Sequence, residues 1–328
     1  MLTFATTDLR KWADSIGVES LTFAEHDYRL VAALEAIYSQ SQIPEKLLIK
    51  GGTALNKLYL RETSRLSVDL DFNQIGEKTA VLSERGWLRN KMREALTQQD
   101  SSYQLSNTQN YSQTTIKAKY QSIITPMTRQ LKLEVSHIER IPILKPESRE
   151  TNGTQKLLKV PTYAIEELAA TKVRALFERF KGRDIYDLYF ILKLKSDKIL
   201  LKKLFLYYFY RSRKIYNPKI HFRILSRRLR NGGYDDDVSG FVRPTVSFQL
   251  DDAALSVERE LAFLNEFDDN DTTFLALARQ LLKKGKITNE MRVKVSKIKN
   301  PLNELFKGQG ITERAEKANL GDIAIFSK

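Results

Sequence analysis

The stretch from Leu47 to Phe72 restricts the chain to few folds. A short apolar run, Lys46 to Lys50 (KLLIK), is closed by Gly51 and Gly52, and helical spacing resumes from Thr53 to Leu60 through Leu55 and Leu58. Ser67 to Phe72 (SVDLDF) then alternates strictly, with Val68, Leu70 and Phe72 on one face and Ser67, Asp69 and Asp71 on the other. The pattern predicts strand, glycine turn, helix, strand. Two carboxylates on one strand face repel each other unless a cation lies between them. Magnesium, or manganese in its place, is the natural ion, since it is held by one or two carboxylates plus phosphates. The backbone N–H groups that open the helix, with Thr53 placed to cap it, suit a phosphate. Singly these signals are weak, because a GG pair is commonly a turn and Asp-x-Asp commonly a solvated face; their order and spacing give them weight.

A third carboxylate is offered by Gln130 to Ser136 (QLKLEVS), where Lys132, Glu134 and Ser136 oppose Leu131, Leu133 and Val135. Glu134 is the candidate third metal ligand or base, with an ordinary polar-face glutamate beside Lys132 as the alternative. Further on, Ile165, Leu168, Ala169, Val173, Leu176 and Phe180 form an apolar stripe into which Lys172 falls. A lysine there needs an anionic partner, such as a triphosphate, or must extend its ammonium to the stripe's edge. Gly182 is expected to cap this helix, and Asp184 either caps the next or joins Asp187 in chemistry.

The remaining pattern predicts a helix from Asp27 to Ser39 with Asp27 as N-cap, and another from Glu77 to Gln98. A polar loop is expected from Gln98 to Gln113, then a hairpin of Thr114 to Ile124 with Arg129 to Glu139. Beyond Pro161 nearly everything reads as helix: Ala164 to Phe180, Asp184 to Leu194, Lys198 to Arg211, Ala253 to Phe267, Thr272 to Lys284 and Glu290 to Phe306. The expected division is residues 1–160, carrying the glycine turn and Asp-x-Asp strand, and residues 161–328, a helical lobe.

Composition narrows the chemistry. With no cysteine, disulfides, thiolate metal sites and cysteine nucleophiles are excluded, and His26, His137 and His221 have no zinc-type spacing. Charges at Asp8, Arg10, Lys11, Asp14 and Glu19 interrupt any apolar leader, and no membrane-length apolar run occurs, so a cytoplasmic protein without a membrane partner is expected. The net charge of +14 favours a polyanionic partner. Between Lys202 and Arg230 there are ten Lys or Arg and no acid, interleaved with Tyr207, Tyr208, Tyr210, Tyr216 and Phe222. This reads as an RNA-binding surface built on Arg211, Arg213, Lys214, Lys219, Arg223, Arg227 and Arg228; the alternative is a solvated face over core aromatics. Asp235, Asp236 and Asp237 read as a loop, since no regular element aligns their carboxylates.

The blocks GGTAL, RxSxDxDF, ExLxAxKxxAL and RDxxDL, in order between Leu47 and Leu192, resemble the AbiEii/AbiGii family, nucleotidyltransferase-like toxins of abortive-infection and toxin–antitoxin systems. The resemblance implies an α+β, polymerase-beta-like nucleotidyltransferase fold with a helical C-terminal lobe. It also implies a nucleoside triphosphate substrate, Mg2+ or Mn2+ and an antitoxin partner, while the net charge and the basic stretch make RNA, of the tRNA class, the expected acceptor. By the same resemblance Gly51, Gly52, Thr53, Arg65 and Ser67 contact nucleotide, Asp69 and Asp71 bind metal, Lys172 contacts nucleotide from the second lobe, and Asp184 is a functional acid. Glu134 departs from it, standing where the family commonly has aspartate and reaching one methylene further; Thr53 replaces a common serine and keeps the hydroxyl. Competing functions are nucleotide transfer to a protein side chain, disfavoured by the basic stretch, and a non-catalytic RNA- or antitoxin-binding module, disfavoured by the retained acids and glycines.

Overall fold

Alternating apolar residues from several strands meet on one face of a mixed sheet, and that shared face organises the first half of the chain. The computed structural model describes residues 5–194, 197–283, 305–306, 310–313 and 315. They divide into two compact units. One contains the chain up to Ile141, Pro146–Tyr163 and Ser239–Ser247; the other contains Pro142–Lys145, Ala164–Val238 and the chain from Phe248 onward.

In the first unit, α1 (Thr6–Ile16) and α2 (Leu21–Tyr38) precede β1 (Leu47–Lys50), α3 (Gly51–Ala54) and β2 (Asp69–Gln74). There follow α4 (Lys78–Gln99), β3 (Gln104–Gln109), β4 (Gln113–Gln121), β5 (Thr128–Ser136), β6 (Glu147–Asn152) and β7 (Leu157–Thr162). Among the described residues the strands form one sheet in the order β3-β4-β5-β2-β1-β7-β6. β2 pairs antiparallel with β1 and parallel with β5, while β4 and β5 make the expected hairpin. Leu70, Phe72, Leu131, Leu133, Val135, Ile116 and Ala118 are all buried on the face packed against α2 and α4. Because side chains alternate across a strand, Asp69, Asp71 and Glu134 are sent to the opposite face.

Three expectations are corrected here. The helix expected to start at Asp27 starts at Leu21, capped by Ser20, whose side chain accepts from the Phe23 N–H at 3.3 Å. Asp27 is instead buried inside it, 2.7 Å from Lys57 Nζ and accepting from Trp12 Nε1 at 2.9 Å. The expected loop from Gln98 to Gln113 contains β3, whose side chains are nearly all exposed. β6 and β7 also escape sequence reading; β6 has no apolar residue to alternate and, among the described residues, lies at the sheet edge beside β7.

The second unit is helical: α5 (Ile165–Arg179), α6 (Gly182–Ile191), α7 (Lys198–Arg211), α8 (His221–Arg230), α9 (Leu250–Glu260), and α10 (Asp269–Lys283). Its core includes a ring cluster of Phe177, Phe205, Phe209 and Tyr216, with Phe177 and Phe205 centred 5.2 Å apart. The cap at the end of α5 is Phe180, in the left-handed region at φ +49, and not Gly182, which opens α6. The helix expected from Glu290 to Phe306 lies outside the described residues apart from Leu305 and Phe306. No helix among the described residues is long and apolar enough to cross a membrane. The architecture is α+β, a mixed sheet with flanking helices together with a helical C-terminal region.

Candidate active site

The parallel pairing of β2 with β5 brings the three sequence-predicted carboxylates together. Asp71 lies opposite Glu134 and Asp69 opposite Lys132. Oxygens from Asp69, Asp71 and Glu134 all lie within 4.8 Å of one another, and each residue is half-buried. Gln113 donates from Nε2 to Glu134 Oε1 at 2.6 Å, and Lys132 Nζ lies 2.9 Å from Glu134 Oε2. The hydrogen bond to Glu134 holds the Lys132 ammonium above its ordinary pKa despite partial burial, with Asp69 and Asp71 adding to the effect. Neither Gln113 nor Lys132 stands out in the sequence as functional. Gln113 falls at the end of the expected loop, and only strand register reveals that it faces Glu134.

His26 is also missed by sequence reading, since an isolated histidine on a helix carries no motif. Its Nε2 lies 2.8 Å from the Val68 carbonyl and its Nδ1 3.2 Å from the Tyr120 hydroxyl. Burial lowers the imidazole pKa against the opposing pull of the Val68 carbonyl and Asp27. The neutral ring with Nε2 protonated satisfies both contacts, donating to Val68 and accepting from Tyr120. It thereby fixes the backbone just before Asp69.

Both glycines of the turn are required by close approach. Gly51 has φ +71, and a Cβ added there would sit 2.6 Å from Asp71 Oδ2; one added at Gly52 would sit 2.6 Å from Arg65 Nη2. The turn therefore presses its backbone directly against the carboxylate and the guanidinium. Thr53 does not cap the helix as expected. It is buried, its Oγ1 2.7 Å from Ser67 Oγ and donating to the Asp69 carbonyl, while Lys50 occupies the cap position. After α3 the chain winds more widely through Leu55–Leu60 in π-helical form. Gly51→Ala is expected to cost roughly 1–3 kcal/mol in stability from the positive φ alone and to reduce activity by displacing Asp71. Gly86→Ala, where nothing lies within 4 Å of the added methyl inside α4, should instead stabilise by about 0.5–1 kcal/mol. Urea unfolding of both variants checks the contrast.

In the second unit Lys172 meets protein carboxylates. Its Nζ lies 2.7 Å from Asp187 Oδ2 and 3.4 Å from Asp184 Oδ1. Asp184 also accepts from Arg179 Nε at 2.6 Å and Nη2 at 2.7 Å. Burial pushes the Asp184 carboxyl up, but Lys172 and Arg179 outweigh it and hold it below the usual carboxylate range. Asp184 is thus not the cap of α6, a position taken by Lys181.

The basic stretch proves to be two different things. Tyr207, Tyr208, Tyr210 and Tyr216 are buried in the core and are not available to stack on bases. Lys202 and Lys203 are buried too, with Lys202 Nζ 2.6 Å from Asp271 Oδ2 and Lys203 Nζ 3.2 Å from Asp268 Oδ2. Acids absent locally are supplied by a distant segment. Arg213, Lys214, Lys219, Arg223, Arg227 and Arg228 are exposed and Arg211 is half-buried. Lys214 lies 3.7 Å from Glu178, and Arg228 covers the Phe180 ring at 4.0 Å. Asp235 and Asp237, on the expected loop, pair with Lys181 and Arg183.

Comparison with known proteins adds the family. The fold is similar to that of MenT4, a nucleotidyltransferase toxin of Mycobacterium tuberculosis, with a TM-score of 0.63 at 18% identity, covering 86% of this chain and 98% of that one. JHP933 of Helicobacter pylori overlaps 85% of this chain and 99% of its own, at 17% identity and a TM-score of 0.45. No curated protein matches the chain in sequence. A profile described as nucleotidyl transferase AbiEii toxin, type IV TA system, matches residues 32–272, a span that holds the carboxylate cluster, the glycine turn and the Lys172 pair. The chain therefore belongs to the AbiEii family of nucleotidyl transferase toxins.

Proposed function

We propose that this protein transfers a nucleoside monophosphate from a nucleoside triphosphate to a hydroxyl of an RNA, of the tRNA class, using Mg2+ or Mn2+ held by Asp69, Asp71 and Glu134. The observation that carries this reading is the convergence of three carboxylates beside the Gly51–Gly52 turn. The donor set fits the ion: it is all oxygen, and a carboxylate offers about four acceptor positions, of which Gln113 and Lys132 take only two on Glu134. When bound, such an ion offsets charge on the reacting phosphate and makes the acceptor hydroxyl easier to ionise.

The chain's own residues orient and hold. The turn backbone and Arg65 receive the triphosphate, and the Thr53–Ser67 pair supports the Asp69 carbonyl behind them. Lys172 binds Asp187 and Asp184 within the helical unit and ties α5 to α6 there. The acceptor oxygen forms a bond to the α-phosphorus, the bond from that phosphorus to the bridging oxygen breaks, pyrophosphate leaves, and the hydroxyl proton passes to water. The charge of +14 and the exposed Arg223 and Arg227 on α8 favour RNA over a protein acceptor. A type IV toxin–antitoxin family implies an antitoxin as partner.

Incubation with each α-labelled nucleoside triphosphate, Mg2+, total RNA and total protein tests the assignment. Label that nuclease removes and protease does not is expected. Label removed only by protease overturns the RNA acceptor, and the absence of label from every triphosphate overturns transfer itself.

A further inference from the structure

We infer that the open face of β3, β4 and β5 is the track along which the phosphate backbone of the RNA acceptor approaches the carboxylates, with Lys117 and Lys119 as its phosphate contacts. This rests on the RNA reading above and assigns the acceptor a surface in the same unit as the site. The face is opposite the buried side chains of Ile116, Ala118, Leu131, Leu133 and Val135 and is continuous with Glu134, which lies across from Thr115.

Its composition selects the occupant. In the three strands taken together, QLSNTQ, QTTIKAKYQ and TRQLKLEVS, Glu134 is the single acid. Besides Glu134, the open face presents Ser106, Thr108, Thr115, Lys117, Lys119 and Lys132, so hydroxyls and ammonium groups stand where a protein-binding face would carry aromatic or aliphatic anchors. Such groups make the sugar and phosphate contacts that position a nucleic acid without reading its sequence.

Charge placement gives a second argument. Lys117 lies directly opposite Lys132, and like charges in that relation destabilise a sheet. Lys132 turns to Glu134, whereas Lys117 and Lys119 are exposed and, among the described residues, have no hydrogen-bond or ion-pair partner. A polyanion lying across β4 offsets that repulsion. Lys117 is opposite the residue two before Glu134 and Lys119 opposite the residue four before it, so the two cations stand roughly 7 and 14 Å up the strand from the site. That step is close to the separation of successive phosphates in an extended strand, and the line they mark ends at the carboxylates.

The test compares the wild-type chain with Lys117→Glu/Lys119→Glu and with the milder Lys117→Gln/Lys119→Gln, whose retained fold is verified by circular dichroism. Binding of a short single-stranded oligoribonucleotide is followed by fluorescence anisotropy over a series of KCl concentrations, beside binding of ATP with Mg2+. The Glu pair is expected to lower oligomer affinity by about tenfold or more. The Gln pair is expected to flatten the log–log salt slope by about 0.7 for each phosphate no longer neutralised, up to about 1.4. ATP binding should be unchanged in both. Unchanged oligomer affinity and slope, in a protein that still labels RNA, overturns the track and leaves the RNA acceptor standing. Label found only on protein removes the RNA reading and the track with it.

Discussion

Asp71→Asn is expected to lower nucleotidyl transfer by on the order of 10³-fold or more, about 4 kcal/mol in the transition state, while the protein stays folded. The substitution is nearly isosteric, but an amide removes the charge that makes the cluster of Asp69, Asp71 and Glu134 attractive to a divalent cation. Removing one of three crowded carboxylates also relieves repulsion in the metal-free protein, so its melting temperature should hold or rise. Asp69→Asn should behave alike, whereas Glu134→Gln, which keeps the Gln113 and Lys132 side of the residue partly satisfied, should lose less. Single-turnover kinetics beside thermal unfolding separates lost chemistry from lost fold; activity within a few-fold of wild type in Asp71→Asn would remove the metal assignment.

Asp184→Ala should destabilise the helical unit strongly, by roughly 3–5 kcal/mol. Asp184 is fully buried and takes hydrogen bonds from Arg179 while pairing with Lys172. Its removal leaves the buried Lys172 with Asp187 alone and the exposed Arg179 without its carboxylate. The sign of the pH dependence follows from its depressed pKa. The folded protein holds Asp184 ionised to lower pH than the unfolded chain does, so the contribution is present above about pH 4 and is lost as pH falls through the folded value. In Asp184→Ala that acid-dependent component should vanish along with the stability. Urea unfolding at neutral and acidic pH measures both, and an unchanged urea midpoint at neutral pH would show the pair to be energetically idle.

What can be read in the sequence is what local periodicity encodes. β2 is legible because Leu70 and Phe72 must be buried, which forces Asp69 and Asp71 outward together, and the β4–β5 hairpin is legible for the same reason. β3 is not, since a strand with almost every side chain exposed has no hydrophobic alternation to show. Partners distant in sequence are equally hidden. Lys172 looks like a cation waiting for a ligand because Asp184 and Asp187 belong to the next helix, and Lys202 and Lys203 look like a solvated basic surface because Asp268 and Asp271 come much later. Burial explains the tyrosines in the same way: interspersed with basic residues in α7, they resemble a stacking surface, yet nearly the whole circumference of that helix is enclosed. Gln113 and Lys132 become part of the site only through cross-strand register, which no linear motif records.

Titration of the purified protein with Mn2+, followed by electron paramagnetic resonance of the free ion, tests most directly whether Asp69, Asp71 and Glu134 form a metal centre. Wild-type protein should withdraw Mn2+ from solution and release it on addition of excess Mg2+. Glu134→Gln should bind more weakly, and Asp69→Asn and Asp71→Asn should leave the free-ion signal near that of buffer. A chain carrying Asp71→Asn that binds Mn2+ as tightly as wild type would place the cation elsewhere and contradict the assignment of this cluster as the centre of the transfer reaction.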